Sequence, residues 1–458
     1  MSESLQSLFD TGHNVGELAQ QLFPGGVQAA KHLPDDFIES IRLTRQLIKS
    51  GTGVIYEAGF MHDNLTCFVD ILVREEEGWH IYEVKSSTSI SDTNILDAAF
   101  QYHLLTRAGL DVRGVSLVYL NNQYARKGDL DIHQLFNIEP VLELVKAALP
   151  LVKTCLRDEI DTLRKKQVPD IDIGEHCSNP YSCDFMGHCW RHIPDYSVFD
   201  IAGLKAARKF ELYQRGIVNL RDVPDNFRLS ASQRLQVETE KSGKPFIDRQ
   251  GIRSMVGKFK YPLYFLDFET FMPAVPLYDQ SSPYQQLVFQ YSLHDLSRPG
   301  DTPVHHEFLA QPGTDPRLQL IPRLLQDLGT KGNIIVYNQA FETTRLKELA
   351  RDFPQYEKPI NTLLPRIKDL MEPFRQKLYY VPEMKGSYSI KQVLPALVPG
   401  FGYAGLEISD GGMASSAFLK MMSESDQQVI EKIRESLLDY CRLDSLAMVE
   451  ILKVLEGV

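Results

Sequence analysis

Two carboxylates stand two residues apart at the end of an apolar run, Tyr264-Phe265-Leu266-Asp267-Phe268-Glu269-Thr270. In a strand, residues i and i+2 face the same side, so Asp267 and Glu269 are expected to point together. Carboxylates aimed at one spot repel each other unless a proton or cation lies between them. A divalent metal held by oxygen ligands is the natural occupant. A lone D-x-E more often ends a strand in water, so acids arriving from elsewhere decide the matter. Glu342 closes Asn338-Gln-Ala-Phe-Glu342, which follows the short buried run Asn333-Ile-Ile-Val-Tyr337 and opens a helix. Tyr440 and Asp444 are i and i+4 on a late helix and share a face. A four-acid set with a tyrosine suits two cations that activate water and steady a leaving oxygen.

A second set lies far upstream. Gly53-Val-Ile-Tyr-Glu57-Ala-Gly-Phe60, Thr66-Cys-Phe-Val-Asp70-Ile-Leu-Val73 and Trp79-His-Ile-Tyr-Glu83-Val-Lys85 read as short strands joined by turns at His62-Asp63-Asn64 and Glu75-Glu76-Glu77-Gly78. Asp70 and Glu83 could hold one cation that activates water, and Lys85 could stabilise charge on a phosphate or orient the water. A cross-strand ion pair on an exposed hairpin is the ordinary alternative. Glu57 is an additional acid on the first of these strands. Helical spacing precedes them up to Lys49, and Asn94 to Arg107 reads as a following helix that carries Gln101 and Tyr102. Val115 to Leu120 reads as a further buried strand.

Cys177, Cys183 and Cys189 form a C-x5-C-x5-C run in a turn-rich segment. Reduced thiolates so gathered are soft ligands for zinc or an iron–sulfur cluster. Cys155 on the preceding helix, His176 or His188 could complete the set. Phe199 to Lys258 is polar and mostly helical. Within it, Leu212 to Pro224 resembles the helical hairpin of many DNA-processing enzymes, with a plain helical linker as the alternative. Lys205, Arg208, Lys209 and Arg215 could face a nucleic-acid backbone or solvent. Further on, Leu287 to His294 and His305 to Leu309 read as strands, and Leu318 to Leu328, Thr343 to Phe353 and Ser423 to Leu455 as helices.

A chain of 458 residues predicts two or three domains. Its 43% hydrophobic and 24% charged content is that of a globular protein. No apolar run is long enough to span a bilayer, and the N-terminal residues lack a signal-peptide layout, so a cytoplasmic location is expected. A net charge of −11 argues against a broadly basic coat but allows a locally basic cleft. Six cysteines do not make a secreted disulfide scaffold at this length. Neither H-E-x-x-H nor a nucleophile motif supports a protease or another hydrolase.

The order helix, strands with D then E-x-K, helix with Gln101-Tyr102, strand resembles the RecB-like branch of the PD-(D/E)XK nucleases from about Gly12 to Leu120. The resemblance implies metal binding by Asp70 and Glu83, with Lys85, Gln101 and Tyr102 as catalytic residues. It departs from that pattern at Gly16, where those enzymes usually carry a metal-binding histidine; His13 lies three positions earlier. In such nucleases three cysteines after the core join one before it around a [4Fe–4S] cluster, and no cysteine precedes Cys67 here. The downstream set resembles the DEDDy exonucleases of the ribonuclease H-like fold. That implies Asp267, Glu269, Glu342 and Asp444 as ligands of Mg2+ or Mn2+, and Tyr440 as the residue positioning the nucleophile. The third acid is normally aspartate, and Glu342 reaches about 1.5 Å further.

Asp267-Phe-Glu269, Phe289-Gln-Tyr-Ser-Leu-His294, Tyr379-Tyr380, Gly386-Ser-Tyr-Ser-Ile-Lys391, Gly411-Gly-Met-Ala414 and the cysteine run also resemble the bacterial family called domain of unknown function 2779. Lys391 and Asn338 are weaker candidates for binding a phosphate backbone.

The expected architecture is mixed α/β. Residues 1–165 form a restriction-endonuclease-like domain, 166–195 the cysteine segment, 196–258 a helical linker, and 259–458 a ribonuclease H-like domain. The expected function is a metal-dependent nuclease, a DNA exonuclease of repair or defence. An RNA-trimming 3′–5′ exonuclease and a nucleic-acid-binding scaffold with inactive sites are the alternatives. The expected partner is nucleic acid, DNA more than RNA, without a membrane.

Overall fold

The computed structural model describes residues 3–29, 37–403 and 405–458. The chain divides into two units: unit 1 is Met1–Asp170 with Met272–Gln285, and unit 2 is Ile171–Phe271 with Gln286–Val458. Helices and several sheets make up the mixed α/β organisation read from the sequence. Among the described residues no helix is long and apolar enough to cross a membrane.

Unit 1 opens with helix α1 (Glu3–Gln20), strand β1 (Val27–Gln28) and helix α2 (Phe37–Lys49). A meander follows, of β2 (Val54–His62), β3 (Leu65–Glu75) and β4 (Gly78–Lys85). The first hairpin turns at Asp63 and Asn64, whose φ of 49° and 63° suits the twist of a two-residue connection. Helix α3 (Asp92–Arg107) then crosses to β5 (Val112–Leu120), which pairs with β4 in parallel. Such a pair needs a crossover, and the helix supplies it. The Ser91/Asn94 capping box starts α3, satisfying its first free N–H groups. Helix α4 (Ile132–Leu135), strand β6 (Phe136–Pro140) and helix α5 (Leu142–Leu163) complete the run.

The sheet order in unit 1 is β1-β2-β3-β4-β5-β6. Ala98, Ala99 and Leu105 of α3 bury one face of it with Ile55, Leu72, Ile81 and Leu117. Val15 and Ala19 of α1 pack on the other face with Ile71, Val118 and Leu120. The segment 272–285 is tied in by Arg126, whose Nη1 donates to the carbonyls of Pro276 and Leu277 at 3.1 Å, and by Tyr284, whose hydroxyl donates to the Ser86 carbonyl.

Unit 2 begins with the cysteine loop and the short helix α6 (Met186–Cys189). Next come α7 (Ala206–Gln214), α8 (Ala231–Ser242), strand β7 (Phe246–Ile247) and α9 (Arg249–Val256). After α7 the hairpin-like stretch turns at Gly216, with φ 73°, into a single 3-10 turn at Leu220–Asp222. Its cations are engaged by the protein: Arg208 and Arg215 both pair with Glu211, and Lys209 donates to the Phe199 carbonyl.

The large sheet of unit 2 comprises β8 (Leu263–Phe271), β9 (Leu287–Leu296), β10 (Val304–Leu309), β11 (Asn333–Val336) and β12 (Ile367–Asp369), in the order β10-β9-β8-β11-β12. Helices α10 (Pro316–Asp327), α11 (Gln339–Asp352) and α12 (Glu357–Leu363) lie along this part of the chain. Beyond β12 come α13 (Glu372–Arg375), β13 (Tyr379–Tyr380), α14 (Ile390–Leu397), α15 (Gly411–Ser423) and α16 (Gln427–Glu456). One face of the sheet packs Leu266, Leu293 and Val336 against Leu320 and Leu346 of α10 and α11. The other packs Leu263, Phe265 and Ile335 against Met448, Ile451 and Leu452 of α16.

Candidate functional site

In unit 2 the alternation that buries Leu263 and Phe265 under α16 continues to Asp267 and Glu269, so both acids face that helix. The rotation of α16 is set by polar residues of β9. Gln290 Nε2 donates to the Leu437 carbonyl at 2.8 Å, Ser292 Oγ meets Ser445 Oγ at 2.6 Å, and His294 Nδ1 meets the same hydroxyl at 2.8 Å. Ser292 and Gln290 stand opposite Asp267 and Glu269 in the ladder. The sequence marker Phe289 to His294 is therefore a docking strip, alternate residues of which hold the helix that carries Tyr440, Cys441 and Asp444.

The acids converge. Asp267, Glu269 and Cys441 have donor atoms all within 4.8 Å of one another, the one such set of three among the described residues. Glu269, Glu342 and Asp444 are 6%, 2% and 6% exposed. Glu342 comes from the first turn of α11, and its Oε2 is buried without a hydrogen-bond donor. Burial, with the charges of Asp444 and Glu269 next, holds Asp267 well above the carboxylate range. Burial and Asp444 push Glu269 up to about 8. Burial, then the charge of Asp267, raises Glu342 well above its ordinary value. Asp444 rises to about 6 by burial, restrained by a hydrogen bond from Tyr403 and by Lys391. Tyr440 is 3% exposed, and burial, then Asp444, keeps its phenol protonated.

Lys391 lies beside these groups. Its Nζ donates to the Ser409 carbonyl at 2.6 Å and stands 5.2 Å from the Tyr440 ring centroid. Asn338 precedes α11 with φ 101°, is exposed, and gives its backbone N–H to Asp369 Oδ1 at 3.2 Å. Tyr403, Cys441 and Asp369 were not singled out as site residues in the sequence. Cys441 Sγ approaches Asp267 Oδ2 at 3.6 Å, and the Tyr403 hydroxyl donates to Asp444 Oδ1. Cys441 adjoins Tyr440 and could have been suspected; Tyr403 lies in a loop with no spacing rule to reveal it.

In unit 1, Lys85 Nζ meets Glu83 Oε1 at 2.8 Å and Asp97 Oδ2 at 2.5 Å. The Val84 N–H donates to Asp70 Oδ2 at 2.6 Å. Glu83 is 5% exposed, and its Oε2 meets no donor among the described residues. Burial and the charge of Glu57 push Asp70 up to about 7; burial and Glu83 do the same to Glu57. Burial, then Asp70, raises Glu83 well above its usual range. Burial opposes the charge of Lys85, yet Glu83 and Asp97 hold the ammonium above its ordinary range. Gln101, one turn beyond Asp97 on α3, is 4% exposed with an unpartnered Oε1, and Tyr102 packs partly buried on the sheet core. Asp97 was missed; its i−4 relation to Gln101 is the signal that could have found it.

Buried carboxylates with few donors and raised affinity for protons fit a hard divalent cation, which would relieve both desolvation and mutual repulsion. The cysteine run is different. Cys177 is buried, Cys183 exposed and Cys189 half-buried; the Cys183 N–H donates to the Cys177 carbonyl at 2.9 Å, and the three sulfurs do not gather within 4.8 Å. Cys155 is exposed on α5 in unit 1.

Residues 264–389 match the family described as Domain of unknown function (DUF2779). This stretch contains β8 with its acid pair, Glu342 and the beginning of the Lys391 segment, and stops before α16. Among curated proteins, the chain is similar to the uncharacterized protein UU173 of Ureaplasma parvum, 30% identical over 165 residues, covering 33% of this chain and 23% of that one. The uncharacterized MG366 homolog of Mycoplasma pneumoniae is 27% identical over 228 residues, covering 44% and 34%. Uncharacterized protein MG366 of Mycoplasma genitalium is 26% identical over 240 residues, covering 47% and 35%. The aligned part thus spans between 23% and 35% of these relatives. No solved structure matches the chain.

Proposed function

We propose that this protein is a metal-dependent nuclease that hydrolyses phosphodiester bonds of nucleic acid, DNA more than RNA, with Mg2+ or Mn2+. In this reading unit 1 is a RecB-like PD-(D/E)XK domain, and unit 2 a DEDDy-type ribonuclease H-like domain. The observation that carries it is the meeting of Asp267, Glu269, Glu342 and Asp444 as buried, donor-poor carboxylates beside a protonated tyrosine. These residues come from a central strand and two different helices, and chain proximity does not explain their convergence. Support for unit 1 comes from Lys85 lying against Glu83, with Asp70 close enough to raise the proton affinity of Glu83.

A divalent cation bound by these acids would supply the charge that makes water nucleophilic and steadies the leaving oxygen. The chain's residues do the rest. Tyr440 retains its hydroxyl proton and can donate it in a hydrogen bond to the attacking oxygen or a phosphate oxygen. Tyr403 fixes the rotamer of Asp444, and Cys441 that of Asp267, so the acids are held in place before substrate arrives. Lys391 supplies the fixed positive charge that such an acid pocket needs if a phosphodiester is to enter. In unit 1, Lys85 keeps its ammonium charge and can meet the charge developing on the phosphate. Cys177, Cys183 and Cys189 are assigned to zinc or an iron–sulfur cluster on their spacing alone.

The test incubates protein purified without air with end-labelled single- and double-stranded DNA and RNA, in Mg2+ or Mn2+, comparing wild type with Lys85→Ala and Asp267→Ala. Cleavage by wild type that is lost in one or both variants is expected, and identifies the acting unit. No cleavage of any substrate by wild type overturns the reading. Iron, sulfide and zinc content of the same sample reads the cysteine assignment.

A further inference from the structure

We propose that unit 1 has a second divalent-cation position, beside the one formed by Asp70 and Glu83, held by Glu57 and His13 with Asp70 as the shared bridge. The proposal rests on the reading of unit 1 as a cation site and assigns it residues outside the D…E-x-K set.

The ladder aligns the acids. Pairs Tyr56–Ile71 and Ala58–Val69 leave Glu57 opposite Asp70, and the pair Ile71–Tyr82 puts Glu83 opposite Asp70 on the other side. Glu57, Asp70 and Glu83 therefore form one row across three adjacent strands. Directly opposite side chains lie about 4.5–5.5 Å apart at Cβ, a spacing that lets a central carboxylate bridge two cations roughly 3.5–4 Å apart.

Both outer strands turn over at this row. Tyr56 and Ile71 join the cluster under α1, whereas Ala58 and Val69, two residues along, join the cluster under α3. Residues i and i+2 of a regular strand would stay on one face. The reversal is possible because Glu57 adopts φ 51°, a conformation a non-glycine residue rarely takes. As a result Glu57 and Asp70 open into a pocket of about 240 Å³, which α1 closes with Gly12, His13, Gly16, Glu17 and Gln20.

Two further observations point to a ligand there. Glu83, 5% exposed, leaves Oε2 without a donor at one end of the row. At the other end a histidine, the commonest transition-metal ligand, lines the pocket with its Nε2 3.2 Å from Glu17 Oε1. A carboxylate on the ring nitrogen turned away from the ion is the usual support of a metal-bound histidine. Charge points the same way. Lys85 is committed to Glu83 and Asp97, so among the described residues no lysine or arginine forms an ion pair with Glu57 or Asp70.

Mn2+ binding to the full chain, followed by the paramagnetic resonance signal of the free ion, tests this without any nuclease assay. Relative to wild type, Glu57→Gln is expected to bind one Mn2+ fewer and Asp70→Asn two fewer. His13→Ala, on a partly exposed helix face, is expected to weaken one Mn2+ by more than the roughly 10–100-fold that loss of an outer support costs. Circular dichroism and a thermal melt establish that each variant is folded. A folded Glu57→Gln that binds as many Mn2+ as wild type, with unchanged affinity, overturns the second position. If Glu57→Gln does not fold, unchanged Mn2+ binding by His13→Ala overturns it instead. Unchanged counts in both Asp70→Asn and Glu83→Gln would instead sink the cation reading of unit 1 altogether, so the two failures are told apart.

Discussion

Replacing Glu269 by glutamine tests whether the acids of unit 2 are held together against their own repulsion. Burial, then the charge of Asp444, lifts the Glu269 carboxyl from 4.5 to about 8. At about 1.36 kcal/mol per pKa unit, holding it ionised in the native state costs roughly 2–5 kcal/mol, the lower end because Asp444 shares the repulsion. A carboxyl whose pKa is raised by folding keeps its proton in the native state after the unfolded chain has lost it. Its contribution to stability is therefore complete below about 4.5 and lost as pH rises through about 8. The isosteric, uncharged glutamine escapes that loss. In a metal-free buffer at pH 8.5, Glu269→Gln should melt about 5–15 °C above wild type, taking roughly 2–4 °C per kcal/mol. Near pH 4 the difference should vanish. Mn2+ should reverse the order, because a ligand at 100 times its Kd adds about 2.7 kcal/mol to the protein that binds it. Thermal melts followed by circular dichroism across pH 4–8.5, with chelator or with Mn2+, read all of this. A variant less stable than wild type at pH 8.5 in chelator would refute the reasoning, as would a pH-independent difference.

Two further outcomes follow from single contacts. Tyr403→Phe removes the hydroxyl that donates to Asp444 Oδ1 and so lets that acid rise further above about 6. A hydrogen bond worth about 1–1.5 kcal/mol corresponds to about one pH unit, so the acidic limb of the cleavage profile should move up by that amount; superimposable profiles would contradict the assignment. Arg317 is 1% exposed and joins Asp315 at 2.8 Å and Asp352 at 3.0 Å. Arg317→Met strands those carboxylates and should cost about 3–5 kcal/mol, read as a lower urea midpoint with an unchanged slope; a midpoint within error of wild type would show that the pair contributes nothing.

The strands and helices were legible where periodicity was strong. β3, β4 and α3 fall where alternation and helical spacing put them, and Asp63-Asn64 makes the turn its residue types predict. Three places were not legible, for physical reasons. The long helical run up to Leu455 is divided into α15 and α16 by the bend at Glu424 to Asp426, since helical periodicity continues on both sides of a short cap. The return of residues 272–285 to unit 1 is a long-range event, carried by Arg126 and Tyr284, that no local pattern announces. The face reversal at Glu57 depends on a backbone angle that glutamate adopts only when its surroundings compel it.

By itself the sequence determined which side chains could share a face: Asp267 with Glu269, Glu83 with Lys85, Tyr440 with Asp444. Those relations depend only on the two-residue repeat of a strand and the 3.6-residue repeat of a helix. Only the tertiary structure decided which faces meet. It brought α16 over β8 through Gln290, Ser292 and His294, gave Cys441 and Tyr403 to the acids of unit 2, and aligned Glu57 with Asp70 and Glu83. Register between strands and the rotation of a packed helix are set by the summed contacts of distant residues, and local spacing carries no record of them.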